Sequence, residues 1–538
     1  MKKSRTVAQV LAESFVRHGV KHIFGIPGGG SSLDVIRACH EQGIKYVLTR
    51  TEAGAGIMAA ISAELNGGFG VMMTTQGPGT LCATNGVGYA CVDRAPIFLI
   101  SDGWTEAQAK HDTHQKVDQQ AIMAPITKAQ TRLEGDDVAN EVEHLIRLIK
   151  TVPHGPAYIE LTGEAARRVV DHEYTPAEPQ APAALDDGLI ASARKMIAGA
   201  KKPVVIVGLE AREPNIAPSV RAFVDELHCP VFSTYKAKGV VPEELPRHVG
   251  LFTGASAEKD CVNEADLIIL VGFDPVELIG RPWPYAAPVL DIAPVSHPIH
   301  YVEPEIGIYH PLAASLDALK GNKPSEWTLP EIENFKSGMR ERLVYHGEGK
   351  GLTPDLIVSN SIDVAQSAAD PRLAIDAGAH MISAMAMWQA KQAGDVLISN
   401  GIATMAFALP AAISAWLHEP EWRVLAFTGD GGFMMCAGEL STAAQTRAKI
   451  CLVVFNDQAL SMIGLKQKSR QLPAEGVEFP PADFSKVAEG FGVKGFRVDT
   501  VEQYKSALEA AMKHDGPCLI DARVDPSGYL GQITALRG

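Results

Sequence analysis

Two aspartates and one glutamate have the types and spacing to do chemistry in this sequence. Asp430 lies in Gly429-Asp430-Gly431-Gly432, directly after the apolar run Arg423-Val-Leu-Ala-Phe-Thr428. Asp457 follows a second apolar run, Ile450-Cys-Leu-Val-Val-Phe455, with Asn456 between. Each run reads as a buried parallel strand, and residues 433–447 between them have helical length and periodicity, so the segment is a βαβ unit. A right-handed crossover then puts both strand ends on one edge of one sheet, side by side. Paired hard oxygens beside a glycine turn suit Mg²⁺ or Ca²⁺ holding a diphosphate, because the turn lets a ligand approach the backbone. Either piece alone reads better as a turn aspartate or an Asn-Asp loop; the two in one crossover favour the ligand site. Glu52 stands just past the short strand Lys45-Tyr-Val-Leu48, at the start of a helix rich in small residues, Glu52-Ala53-Gly54-Ala55-Gly56. On that window alone it is a first-turn glutamate that favours the helix dipole.

The elements that must position these groups alternate along the chain. Val71-Met-Met-Thr-Thr75, Ile97-Phe-Leu-Ile100, Ala157-Tyr-Ile-Glu-Leu161, Val204-Val-Ile-Val207, Leu267-Ile-Ile-Leu-Val271 and Val396-Leu-Ile398 are short apolar runs bounded by Gly, Pro or Asp. Such runs, separated by helical stretches, predict doubly wound parallel sheets. Pro/Ala-rich Asp171–Asp187 reads as a linker. Gly321–Pro330 reads as a second break, followed by an irregular helical connector to about Gly351. The expected architecture is therefore three α/β doubly wound parallel-sheet domains in series, at residues 1–170, 186–330 and 352–538. A length of 538 residues suits three such cores. The net charge of −14 argues against nucleic acid or an anionic membrane as partner. None of the eight cysteines forms a Cys-x-x-Cys pair, which suits buried thiols in a reducing compartment. The first residues lead into an amphipathic helix rather than a signal-peptide core, and no apolar run approaches about 18 residues. A soluble cytoplasmic protein is expected.

Gly429-Asp430-Gly431 followed by Asn456-Asp457 resembles the cofactor motif of thiamine diphosphate (ThDP) enzymes, Gly-Asp-Gly and then Asn-Asn, with Asp457 replacing the second Asn. The resemblance implies a metal held by Asp430, Asp457 and the backbone carbonyl of Ala459, and a diphosphate against Gly429, Gly431 and Gly432. Thr49-Arg-Thr-Glu-Ala-Gly54 is similar to Arg-His-Glu-x-Gly/Ala in relatives, which makes Glu52 the essential carboxylate. In that family a buried glutamate shares a proton with the pyrimidine nitrogen N1′ and favours the 4′-imino tautomer, which takes the proton from C2. Ala403-Thr-Met-Ala-Phe-Ala-Leu-Pro-Ala-Ala412 is similar to Gly-Thr-Met-Gly-Phe-Gly-Leu-Pro-Ala-Ala. That match places Met405 under the bend of the cofactor and the carbonyl of Ala403 on its 4′-amino group.

Phe24-Gly-Ile-Pro-Gly-Gly-Gly30 resembles the glycine loop near the substrate in acetolactate synthases, which assigns Gly28 to the cofactor and Gly29 to the substrate pocket. Thr75-Gln-Gly-Pro-Gly-Thr80 is similar to a structural loop of the same domain. His114-Gln-Lys-Val-Asp118 resembles Phe-Gln-Glu-x-Asp and makes Gln115 a neutral donor to a developing alkoxide. Leu460, Met462, Ile463 and Lys466 fall on the substrate segment, with Lys466 where flavin-containing synthases carry a specificity tryptophan. The resemblance covers nearly the whole chain and implies an aminopyrimidine-binding, a central and a diphosphate-binding domain. It also implies ThDP, Mg²⁺, and a homodimer or homotetramer with active sites at subunit interfaces. The expected reaction is decarboxylation of a 2-oxo acid, or its carboligation with an aldehyde or second oxo acid. Cleavage of 2-hydroxy ketones or 2-hydroxyacyl thioesters stays open. So does an FAD-containing synthase or oxidase, although Leu270-Val-Gly-Phe-Asp-Pro-Val-Glu277 lacks the arginine-bearing run of flavin-binding relatives. A regulatory protein on an inherited fold is the rival outside catalysis; it would leave Glu52, Asp430 and Asp457 free to vary. Motifs of P-loop, zincin or α/β-hydrolase type are absent.

Overall fold

Glycine- and proline-bounded apolar runs become strands throughout a computed structural model, which describes residues 4–171, 174–175, 184–278, 282–298, 301–349, 351–367 and 371–537. Three six-stranded sheets form, and every pairing within them is parallel. The first sheet orders Lys45–Leu48, His22–Ile26, Gly70–Thr74, Ile97–Asp102, Ala157–Leu161 and Ala129–Thr131. The third orders Val396–Ile398, Arg372–Ile375, Val424–Gly429, Ile450–Asn456, Cys518–Arg523 and Lys494–Val498. Numbered along the chain, both follow the order 2-1-3-4-6-5. The central sheet differs: His248–Leu251, Val231–Ser233, Pro203–Val207, Leu267–Val271, Val289–Ala293 and Ile306–Tyr309 follow 3-2-1-4-5-6. Central strands such as Ile450–Asn456 are buried at every position, as a sheet covered on both faces requires.

Helix starts are written in the local sequence. Thr6 caps Val7–Arg17 through a capping box with Gln9, and Pro78 opens Pro78–Val92 at a position where its missing N–H costs nothing. Two expectations change. Residues 433–447 are not one helix: Asp430–Cys436 and Glu439–Thr446 are separated at Ala437-Gly438. The connector before Gly351 is not irregular, because Thr328 and Glu331 form a capping box that starts the regular helix Leu329–Arg342. The linker expected at Asp171–Asp187 falls largely outside the described residues, and Asp186 caps a helix that begins at Asp187.

The sheets are fastened into one body by shared cores. Helix Glu52–Asn66 of the first sheet lies against helix Ala408–His418 of the third, and one buried cluster joins Met58, Tyr89 and Ile97 to Ala411, Phe433 and Leu452. A second runs from the central sheet into the third through Met385, Trp388 and Phe427. Among the described residues no helix is long and apolar enough to cross a membrane.

Candidate active site

The parallel register pairs Gly429 with Phe455, so the chain leaves the two strands at neighbouring points and brings Asp430 beside Asp457. Asp430 accepts the N–H of Gly431 at 2.7 Å on Oδ1 and that of Gln458 at 2.6 Å on Oδ2. Asp457 accepts the N–H of Ala459 at 3.1 Å and the hydroxyl of Ser461 at 2.6 Å. Burial first, and the Asp457 charge second, push the Asp430 carboxyl up to about 7. Burial also raises Asp457. Two carboxylates held together at such a cost, with lone pairs to spare, form a donor set that fits a hard divalent cation.

Around them the glycines are small for stated reasons. A β-carbon at Gly431 would lie 2.8 Å from Leu460 and 3.3 Å from Met405, so these three residues meet. One at Gly432 would collide with Asp376. Asp376, absent from the sequence expectations, is fully buried and accepts the hydroxyl of Thr428 and the N–H groups of Ala406 and Phe407. It ties the Gly-Asp-Gly strand to the loop of Ala403 and Met405. That loop bends through left-handed backbone at Ala403 (φ +51°) and Ala406 (φ +66°), where the related pattern carries glycine. From the first domain, buried Asp93 accepts the N–H groups of Asn400, Gly401 and Ile402 at 2.8–3.2 Å and also faces Lys236 of the central domain at 3.4 Å.

His380 was also missed, since only Asp376-Ala-Gly-Ala-His380 after a strand end signalled it. It is buried, stacks on Phe455 at 5.0 Å between ring centroids, and packs beside Gly378 and Gly429. Among the described residues its Nε2 has no hydrogen-bond partner, and burial pulls its pKa down to about 4. An orphaned buried nitrogen beside a glycine turn and two carboxylates fits a metal-bound diphosphate.

The first domain assembles a second group. Glu52 opens helix Glu52–Asn66, with Thr51 capping the helix through Gly54 N–H at 3.0 Å. Glu52 is half-buried, and burial is the main cause of its raised pKa. Its Oε1 lies 3.4 Å from the place of a β-carbon on Gly79. Gly28 admits no side chain, since Asp102 and Thr75 fill the space, whereas Gly29 faces open space. The Gln115 carbonyl presses on Gly77, Gln115 itself takes φ +58°, and its side chain is exposed. On helix Ser461–Ser469, Met462 packs with Leu465 against Tyr345 and Tyr529, while Ile463 and Lys466 are exposed. Among the described residues no hydrogen bond or ion pair joins Glu52 or Gln115 to Asp430 or Asp457.

Glu210, Asp274 and His297 form another group of ligand-type side chains, in the central domain. Asp274 is paired with Arg94 at 2.6 Å, and the two ring nitrogens of His297 face Glu210 at 3.2 Å and Asp274 at 3.9 Å. With its charges matched in this way the group is an ion-pair chain across the domain boundary, and it absorbs the Asp of the Leu270–Glu277 run.

Three models of one family match the chain in order. They are the thiamine pyrophosphate enzyme N-terminal TPP binding domain at residues 5–122, the central domain at 190–319 and the C-terminal TPP binding domain at 376–522. A catabolic acetolactate synthase of Raoultella terrigena is 30% identical over 96% of this chain and 95% of its own length. The chain belongs to the thiamine pyrophosphate enzyme family. An acetolactate synthase of Bacillus subtilis is 27% identical over 97% of this chain and 93% of its own. The acetolactate synthase large subunit of Pyropia yezoensis is 29% identical over 97% and 92%. This thiamine pyrophosphate enzyme is thus a ThDP-dependent carboligase or decarboxylase that forms carbon–carbon bonds.

Proposed function

We propose that the enzyme works with Mg²⁺ as an acetolactate synthase-like carboligase, decarboxylating a 2-oxo acid and joining the product to an aldehyde or second oxo acid in the cytoplasm. The observation that carries the reading is the Asp430–Asp457 pair, a buried and a half-buried carboxylate side by side, with Asp430 pushed to about 7. The printed names of the relatives support the substrate class. When bound, ThDP supplies an electron sink for loss of CO₂ from a 2-oxo acid.

The chain's own residues do the rest. Asp430, Asp457 and the Ala459 carbonyl hold the metal, and His380 with Gly429, Gly431 and Gly432 borders the diphosphate. Met405 and the Ala403 carbonyl hold the cofactor's conformation on a loop braced by Asp376 and Asp93. Glu52 exchanges a proton between its carboxyl oxygen and the pyrimidine nitrogen, a task its raised pKa suits. Gln115 donates an amide hydrogen to developing alkoxide, and the apolar segment of Leu460, Met462 and Ile463, once a second copy covers exposed Ile463, excludes water near the leaving CO₂. Gly29, which faces open space, leaves room for the second carbonyl compound, and exposed Lys466 offers a positive charge to an acidic one.

Among the described residues no hydrogen bond or ion pair joins Glu52 to the aspartate pair, and exposed Leu48, Leu81, Ile402, Met434 and Met435 lie beside the two groups. Both facts support a homodimer or homotetramer in which a second copy covers that apolar surface and completes the site. The test incubates enzyme, ThDP and Mg²⁺ with pyruvate and other short 2-oxo acids, with and without acetaldehyde or benzaldehyde. CO₂ and 2-hydroxy ketones are expected. If no 2-oxo acid loses CO₂ while 2-hydroxy ketones or 2-hydroxyacyl thioesters are cleaved, the enzyme is a lyase.

A further inference from the structure

Helix Glu439–Thr446 begins with a carboxylate that is fully enclosed. Its Oε1 accepts the N–H of Arg50 at 3.0 Å, the N–H of Thr51 at 2.9 Å and the hydroxyl of Thr51 at 3.0 Å. Its Oε2 accepts the hydroxyl of Thr442 at 2.7 Å. In all four bonds the side chain is the acceptor, the role that a carboxylate fills. Thr51 is also the residue that caps the helix of Glu52. The diphosphate-binding domain therefore grips the start of that helix one residue before Glu52. The grip explains small residues on both sides. A β-carbon at Gly54 would lie 2.7 Å from Glu439 Oε1, and one at Gly438 would lie 3.3 Å from Arg50 Cβ. It also explains the helix break at Gly438, which turns Glu439 toward Arg50 and Thr51.

A neutral glutamine would accept the same backbone bonds without burying a charge. Among the described residues no cation pairs with Glu439; the Arg50 guanidinium turns instead to Ser441, Gln445 and the Leu48 carbonyl. A buried carboxylate with hydrogen bonds but no counter-ion still costs the fold free energy, so a role beyond stability accounts for it better than packing does. The groups that face Glu52 are few. Strand Lys45–Leu48 offers the buried Tyr46 hydroxyl, itself influenced by Asp102 and Glu52, and helix Pro78–Val92 brings uncharged Gly79 up to it. Glu439 is the charge that adds to burial in holding a proton on Glu52.

We propose that Glu439 is a positioning residue for the reaction: it docks the start of the Glu52 helix onto the diphosphate-binding domain and supplies the negative field in which Glu52 carries its proton. The proposal rests on the reading of Glu52 as the acid–base group. Two variants separate the parts, since Glu439→Gln keeps the acceptor and removes the charge, whereas Glu439→Ala removes both. The Glu52 carboxyl band, identified by its loss in Glu52→Gln, is titrated in infrared difference spectra of the cofactor-free protein. In Glu439→Gln it ionises at lower pH than in wild type, the pH profile of kcat moves the same way, the melting temperature does not fall and ThDP affinity stays put. In Glu439→Ala kcat falls about tenfold or more at unchanged KM, because the helix start drifts. An unmoved Glu52 titration in Glu439→Gln, or a wild-type kcat in Glu439→Ala, overturns the proposal. Glu52→Gln with near wild-type turnover would instead sink the role given to Glu52, and the infrared titration would still decide what Glu439 does.

Discussion

At the scale of the residue, Glu52 and Asp457 make the sharpest tests. An amide at position 52 still hydrogen-bonds a ring nitrogen but has no proton to exchange. Glu52→Gln should therefore lose about 10² to 10⁴ in kcat, with ThDP affinity nearly unchanged, as CO₂ release and calorimetry would show. Asp457→Asn restores an amide oxygen to the metal site and removes the charge that helps push Asp430 toward 7. In wild-type apoprotein that carboxyl still carries a proton just below neutrality, so Mg²⁺ uptake should release protons there and weaken as pH falls through 7. In Asp457→Asn both effects should move to lower pH, and a higher Mg²⁺ concentration should be needed for half-saturation. Asp430 and Asp457 are readable from sequence because strand, glycine turn and crossover fix their place without a view of the fold. His380, Asp376, Asp93 and Glu439 are not. Each acts on a segment far away in the chain, and a lone buried acid or histidine has no period or spacing to mark it.

At the scale of the element, a single acid shows how burial writes pH into stability. Glu277 follows the central strand Leu267–Val271 and accepts the N–H of Leu209 at 2.8 Å on Oε2, while its Oε1 has no hydrogen-bond partner among the described residues. Burial pushes its pKa up from 4.5 to about 8. The folded chain thus keeps a proton that the unfolded chain releases near 4.5. This contribution to stability is complete below that pH and is lost as pH rises through 8. Glu277→Gln should remove the decline, so thermal melts at pH 5 and pH 8 should differ less than in wild type, with the variant the more stable at pH 8. Strands were legible because parallel sheets demand continuous apolar runs. The breaks were not, because the turn at Ala437-Gly438 answers a partner across a domain boundary, and Thr328 starts a regular helix in a stretch whose prolines suggested disorder of pattern.

At the scale of the whole molecule, the two half-sites predict how defective subunits behave together. Glu52→Gln and Asp430→Ala are each expected to be inactive for different reasons. Mixed under conditions that exchange subunits, they should recover part of the activity, because a mixed pair contains one site with both groups intact. No recovery, together with an active monomer in sedimentation, would contradict the shared site. ThDP should also fail to bind chelator-treated protein until Mg²⁺ is added, since two carboxylates meet a diphosphate in a confined space. Three domains in series were visible from composition and punctuation, but not how tightly they are knotted. The carboxylate of Asp93 touches all three, through its own helix end, Lys236 and the Asn400–Ile402 backbone. Grafting the first domain of a relative onto this chain would orphan three amides and take from Lys236 one of its two acids, the other being Glu64 of that first domain, unless the donor brought an acid to the place of Asp93. Chimaeras of this enzyme will be viable along seams that respect one side chain, whatever the boundaries drawn on the sequence.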